Sequence, residues 1–206
     1  MMRPIASSTA RIEWVSEATE NIPLFPLSSV LFPKGIIGLR IFESRYLDMV
    51  RACLRANQGF GVVANLSANE HALVGTEAMI IDFSTLEDGL LGLQCRGHRR
   101  FIVRNTRAQA DGLLMGEVNW LPPEPATAVR PEHAALQTMV REMLKQEVIA
   151  KELDIDTDLA SELSFGLSTI LPLEVMAAQH LLEIQSPDER LNELTDWVQT
   201  HAGELG

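Results

Sequence analysis

The sequence predicts an α+β fold in which a β-rich front half with one inserted helix is followed by a C-terminal α-helical bundle. Three observations predict it. From about Ile22 to Trp120, short apolar runs are punctuated by Gly, Pro and Asp-Gly pairs, the pattern of strands and turns. From about Pro131 onward, apolar residues recur at helical spacing. Between the two lies Pro122-Pro123-Glu124-Pro125, a stiff extended segment in which three prolines fix the backbone and remove donors. The expected boundaries are an N-terminal extension (1–21), a β-rich unit (22–121), a Pro-rich linker (122–130) and a helical unit (131–206). With 206 residues, 46% of them hydrophobic, the chain is long enough for one large core or two small joined ones, and disorder is excluded.

Taking the elements in order, Pro26 and Pro33 are expected to bound a short apolar strand, with Gly35 permitting the turn after it. Tyr46, Met49, Val50, Cys53 and Leu54 then fall on one face of a helix whose stop is expected at Asn57–Gly59. Three strands follow, over Thr76–Leu86, Leu90–Asn105 and Leu113–Trp120. Asp88-Gly89 and Asp111-Gly112 stand at the two reversals, where a residue tolerant of positive φ is needed, so an antiparallel meander is predicted. In the second half, Leu136, Met139, Val140, Met143, Leu144 and Val148 predict one long amphipathic helix after Pro131. A shorter one is expected through Leu159, Leu163 and Leu167, and another opened by Pro172 with Val175, Met176, Gln179 and Leu182. Ser186-Pro187-Asp188-Glu189 has capping-box spacing ahead of Leu191, Leu194 and Val198.

Composition excludes several chemistries. The net charge of −11 is unevenly spread: residues 1–107 hold 12 Lys/Arg against 10 Asp/Glu, and residues 108–206 hold 5 against 18. Such an acidic second half repels phosphate backbones, so a nucleic-acid role would be confined to the first half. No apolar run is long enough to cross a bilayer, and the first twenty residues, with Arg3 and Arg11, hold no continuous apolar stretch; a cytoplasmic address is expected. Cys53 and Cys95 have neither metal nor disulfide spacing and read as buried thiols. None of Lys34, Lys145 and Lys151 follows a glycine, so there is no phosphate-binding loop of the Walker type. His71, His98, His133, His180 and His201 lack metal-ligand spacing, and neither G-x-S-x-G nor S-x-x-K occurs. Asp154, Asp156 and Asp158 alternate, but without the glycine and later glutamate of a calcium loop, and read as a capped turn. No catalytic residue, metal or cofactor is expected.

The stretch Pro23–Tyr46, PLFPLSSVLFPKGIIGLRIFESRY, resembles the opening of the Lon protease N-terminal, substrate-recognition domain family. Further landmarks of that family are resembled in order: Phe60-Gly61-Val62-Val63, Gly75-Thr76-Glu77-Ala78, Glu87-Asp88-Gly89, Gly97-His98-Arg99-Arg100-Phe101, Leu171-Pro172-Leu173, Gln179-His180-Leu181-Leu182-Glu183 and Arg190-Leu191. The resemblance implies a twisted, partly closed β-barrel of the PUA-like type followed by the helical bundle, and a domain that captures unfolded substrates. It further leads to the expectation of a domain standing alone, without the ATPase or peptidase parts, and so without enzymatic activity.

Two candidate surfaces follow. Phe42, Glu43, Arg45 and Tyr46 combine two aromatics with two opposite charges at a strand-to-helix junction. They read either as a polypeptide-docking edge or as core plus a helix-start carboxylate. On the basic strand, if Leu91, Leu93, Cys95, Phe101 and Val103 face inward, then Gln94, Arg96, His98, Arg100 and Arg104 share the other face. That stripe would bind an anion or RNA, or pair with acidic helices; it lacks the interleaved aromatics of single-strand binders. Unfolded or partner polypeptides are thus the expected ligands, a nucleic acid is the alternative, and self-association into a homodimer is left open.

Overall fold

The computed structural model describes residues 19–67, 70–201 and 203, the side chains of residues 148, 151 and 152 excepted. Most of the expected N-terminal extension therefore lies outside the described residues, as does the Val148 side chain. In chain order the elements are β1 (Glu20–Leu27), β2 (Ile36–Ile41), α1 (Ser44–Ala56), β3 (Phe60–Ser67), β4 (Glu70–His71), β5 (Val74–Thr85), β6 (Leu91–Ala108) and β7 (Leu114–Trp120). A 3-10 turn at Pro131–His133 then leads to α2 (Ala134–Met143), α3 (Glu147–Glu152), α4 (Ala160–Ile170), α5 (Val175–Glu183) and α6 (Pro187–Thr200).

Two prolines decide how β1 is used. It pairs antiparallel with β7 over Glu20–Leu24 and parallel with β3 over Leu24–Leu27. Pro23 is paired only on the β7 side and Pro26 only on the β3 side, so neither missing N–H breaks a ladder that needs it. Pro26 therefore sits inside a strand, where the sequence suggested a boundary. The segment between Pro26 and Pro33 leaves the sheet after Leu27 and drops Leu31 and Phe32 into the core.

Pairing runs β1-β7-β6-β5-β3, and the β3–β1 contact returns it to its start; β2 lies off this path on β6, and β4 on β3. The result is a mixed α/β fold around a largely antiparallel sheet, and the sheet is not a clean barrel. The reason is length. At 12 and 18 residues, β5 and β6 outrun β3 and β7, and their distal halves run on with β2 as a three-stranded arm, one face of which packs on α1. Inside the circuit Leu24, Val63, Phe101, Val103 and Val118 form a small core. Phe101 fits because a Cβ at Gly75 would stand 2.5 Å from its ring and one at Gly61 2.7 Å.

Both hairpins turn as expected. Leu86 N–H donates to Leu90 O and Gln109 N–H to Leu113 O, each at 2.8 Å, with Gly89 at φ 81° and Gly112 at φ 84°. Helix α1 buries Met49, Val50 and Cys53 against β2, β3, β5 and β6. Asn57, at φ 51°, makes its left-handed stop; Gly59 is needed for space instead, since a Cβ there would lie 2.6 Å from Ala78 O. Cys53 and Cys95 are buried thiols, the latter pushed up to about 12 by burial and by Cys53.

The helices pack on the outside of the sheet, where Phe32, Val74 and Leu121 join Leu136, Val140, Leu163, Leu167, Leu182, Leu191 and Leu194 in one core. Two expectations fail here. The long helix predicted from Leu136 to Val148 breaks in two, because after Met143 the backbone tightens: Lys145 N–H donates to Glu142 O and Gln146 N–H to Met143 O. Pro172 does not open a helix but lies in the extended segment before Glu174, the residue that caps α5. Ser186 behaves as read, its Oγ accepting from Glu189 N–H.

Candidate functional site

Strand β2 ends with Ile41, which is buried; the pleat then points Phe42 to the other side, where it is 67% exposed. Glu43 is the N-cap of α1 with extended backbone, but its carboxylate pairs with Arg45 Nη2 at 2.6 Å and makes no cap hydrogen bond. Arg45 Nη1 donates to Gly112 O at 2.7 Å, and its guanidinium stands 4.8 Å from the centre of the Tyr46 ring. Tyr46 lies 4.2 Å from the Phe25 ring, and burial, assisted by Glu43 and opposed by Arg45, raises its phenol pKa, keeping it protonated. The four residues are thus brought together but divided in role: Arg45 and Tyr46 anchor α1 to the sheet and to the β6–β7 turn, while Phe42 is displayed.

Phe42 is not isolated. Ile41 is opposite Leu91, and Leu91 is opposite Thr85, so Phe42 sits at the hairpin end of the same arm that exposes Ile81 (45%) and Phe83 (59%) on β5. Arg40 pairs with Asp88 and ties β2 to the hairpin. A shallow cleft of about 360 Å³ runs along the arm, lined among others by Arg40, Asp82, Phe83, Ser84 and Leu86. Sequence reading missed Ile81 and Phe83. The signal was present: a strand end, Ile81-Asp82-Phe83-Ser84-Thr85, with apolar residues and neither Lys nor Pro.

The basic strand does not form one exposed stripe. A register shift opposite Thr76–Ala78 changes which side chains of β6 face inward, so Arg100 points toward the helices and is 5% exposed. The other three are engaged as well. Arg96 stands 4.0 Å from Asp154, His98 pairs with Glu77 at 2.9 Å, and Arg104 Nε donates to Asn119 Oδ1. Glu77 is buried, which alone would raise its pKa; hydrogen bonds from Arg99 and His98 outweigh that and hold it below the ordinary carboxylate value. The Arg99 guanidinium also covers the Trp120 ring at 3.7 Å.

A buried cluster that sequence reading did not find joins the parts. Glu124, from the Pro-rich run, accepts from Arg100 Nη2 at 2.6 Å, from both Arg190 amino groups, and from Ser161 Oγ at 2.6 Å. Arg100 also donates to Leu182 O and Ile184 O, and Arg190 to Leu181 O, Ile184 O and Ser164 Oγ. Phe165 lies under the Arg190 guanidinium at 3.8 Å. The Pro-rich run is therefore tied to the interior through the Glu124 side chain, while Pro122, Pro123 and Pro125 stay exposed. Asp156 and Asp158 close a turn, Asp156 accepting from Asp158 N–H and Asp158 from Gln137 and Arg141.

The family model described as the ATP-dependent protease La (LON) substrate-binding domain matches residues 21–200. The crystal structure of a Lon N-terminal domain protein from Xanthomonas campestris is 41% identical, covering 86% of this chain and 98% of that one, with a TM-score of 0.76. The N-terminal domain of a Mycobacterium avium complex Lon protease, 21% identical over 88% of this chain and all of that one, shares the fold at a TM-score of 0.68. A LON peptidase N-terminal domain and RING finger protein of Schizosaccharomyces pombe is 24% identical over 90% of this chain and 46% of its own length. The chain spans less than half the length of the curated relatives it matches.

Proposed function

We propose a function from one premise: this chain belongs to the ATP-dependent protease La (LON) substrate-binding domain family. Its function on this reading is to bind unfolded or partner polypeptides, as a recognition module with no reaction of its own. One observation carries it: Phe42 stands exposed at the hairpin end of the β2–β6–β5 arm, next to the anchored pair Arg45 and Tyr46, and Phe83 and Ile81 are exposed farther back along β5. Aromatic and aliphatic side chains left largely in water are what an apolar segment of another chain would cover. Phe42 supplies contact area, and the Glu43–Arg45 pair at its foot supplies polar orientation.

The finer architecture belongs to the same proposal. We read the strand circuit as a PUA-like twisted, partly closed barrel, and α2–α6 as a helical bundle, with the boundaries at 22–121, 122–130 and 131–206. The cytoplasm is proposed as the compartment on the strength of two buried free thiols; among the described residues, no helix is long and apolar enough to cross a membrane. A nucleic-acid role through Arg96, His98, Arg100 and Arg104 gains no support, since these side chains already have protein partners.

Fluorescence anisotropy with reduced, carboxymethylated α-lactalbumin tests the reading, native lysozyme serving as the folded control. The wild-type chain is expected to bind the unfolded protein saturably and the folded one not at all. Phe42→Ser is expected to weaken binding several-fold while leaving the circular dichroism spectrum unchanged. Absence of saturable binding to the unfolded protein, with salt-sensitive binding of single-stranded RNA in its place, would sink the proposal.

A further inference from the structure

The arm that displays Phe83 also leaves a strand edge open. Among the described residues, β3 meets β5 only at Thr76–Ala78, and no strand pairs with the outer edge of Ile81–Thr85. Which backbone groups face that edge follows from the hairpin. Leu86 N–H donates to Leu90 O, so Leu86 is turned toward β6; alternation then turns Ser84 and Asp82 toward β6 as well, and Thr85 and Phe83 outward. The Phe83 N–H is not taken by any strand. It donates to the carboxylate of its neighbour Asp82 at 2.8 Å, which occupies the place of a strand carbonyl.

Open edges are ordinarily blunted by Lys, Pro, a bulge or a covering element; this one has neither Lys nor Pro, and its bulge lies at the inner end, between Ile80 and Asp82, which leaves Asp82–Thr85 in regular pairing with β6. The chemistry around it is one-sided. Asp82, Glu87 and Asp88 are exposed, and Arg40, already paired with Asp88, is the arm's answering cation. Apolar contact comes from Phe83, which is 59% exposed in the cleft along the arm.

We propose that the outer edge of β5 from Ile81 to Thr85 receives an extended polypeptide segment as an added strand, the segment alternating apolar residues with Lys or Arg. This rests on the polypeptide-binding reading and specifies its mode. The incoming backbone supplies a carbonyl to the Phe83 N–H and releases Asp82, whose carboxylate then pairs with the segment's cation. An apolar residue of the segment covers Phe83, and main-chain bonds form at Thr85. Affinity then comes from backbone and sequence selection is broad, as suits a module that meets many unfolded chains.

The test uses the full chain and a fluorescein-labelled, end-blocked peptide of alternating Val and Lys. Two analogues accompany it, one with alternate amides N-methylated and one with Glu for Lys. Thr85→Pro removes an N–H that does not bond to β6, so it blocks the edge while leaving the hairpin paired. The Val/Lys peptide is expected to bind; N-methylation and Thr85→Pro should each weaken binding by about tenfold or more, and Glu for Lys should weaken it too. If Thr85→Pro disturbs the fold, the N-methylated analogue on the wild-type chain decides alone. Equal binding of the N-methylated peptide, with carboxymethylated α-lactalbumin still bound, overturns the inference and leaves the proposed function standing. Binding of neither probe overturns both. A concentration-dependent dimer that Thr85→Pro abolishes, without peptide binding, assigns the edge to a second copy and likewise overturns the inference.

Discussion

Glu77 shows how one side chain makes stability depend on pH. Its carboxylate is buried yet receives Arg99 Nε at 2.9 Å and His98 Nδ1 at 2.9 Å, so its folded pKa lies below the ordinary carboxylate value. A depressed folded pKa contributes stability that is complete above the unfolded value and is lost as pH falls through the folded one. Glu77→Gln keeps the shape and removes the charge. It is expected to cost about 1.5–3 kcal/mol at pH 7, the range for hydrogen bonds to charged groups, and progressively less as the solution is acidified below the carboxylate range. Urea midpoints of both chains between pH 7 and pH 2 measure this; a gap that stays constant would show that Glu77 acts through packing alone. Sequence reading placed Arg100 with His98 on one exposed basic face because it counted β6 as one unbroken alternation; His98 is exposed, and Arg100 is buried. The shift opposite Thr76–Ala78 is set by strands distant in the chain and leaves no local mark.

At the scale of elements, what was legible was what local chemistry decides. Asp88-Gly89 and Asp111-Gly112 marked both hairpins because positive φ there excludes most side chains, and the three meander strands followed within a few residues. The break between α2 and α3 and the extended Pro172 segment were not legible, since helical periodicity continues through both. The two turn glycines share a conformation but not a neighbourhood, which gives a comparison. A Cβ at Gly89 meets nothing within 4 Å, so Gly89→Ala is expected to cost only the left-handed penalty, roughly 1–2 kcal/mol. At Gly112 a Cβ would stand 3.0 Å from Arg45 Nη1, which is held on Gly112 O while Nη2 of the same guanidinium is held by Glu43, so Gly112→Ala is expected to cost more. In an Arg45→Ala background the two substitutions should become equal. Urea denaturation of the six chains, arranged as double-mutant cycles, decides it, and an excess at Gly112 that survives removal of Arg45 would refute the account.

For the whole molecule, periodicity separated a β half from a helical half, but what holds them together was hidden. Glu124 sat in a proline run that reads as a spacer, and its partners Arg100 and Arg190 are 24 and 66 residues away. Burial of the trio is extreme: the side chains of Glu124, Arg100 and Arg190 are 6%, 4% and 0% exposed. Such a cluster adds little net stability compared with apolar packing, because desolvation offsets most of the attraction, but removing one member leaves the others uncompensated. Glu124→Gln leaves two buried guanidinium groups facing no carboxylate and is expected to cost about 3–5 kcal/mol. The loss should also be uneven, since Arg100 bonds β6 to the carbonyls of Leu182 and Ile184 at the end of α5, and Arg190 bonds α6 to that of Leu181. Single-tryptophan chains retaining Trp120 in β7 or Trp197 in α6 report the two sides separately. With Glu124 present their urea transitions are expected to coincide; with Gln there, Trp197 should report unfolding at lower urea than Trp120. If the two transitions stay together and the midpoint barely moves, the shared apolar core of Phe32, Val74 and Leu121 with the helices couples the halves without help from the ions.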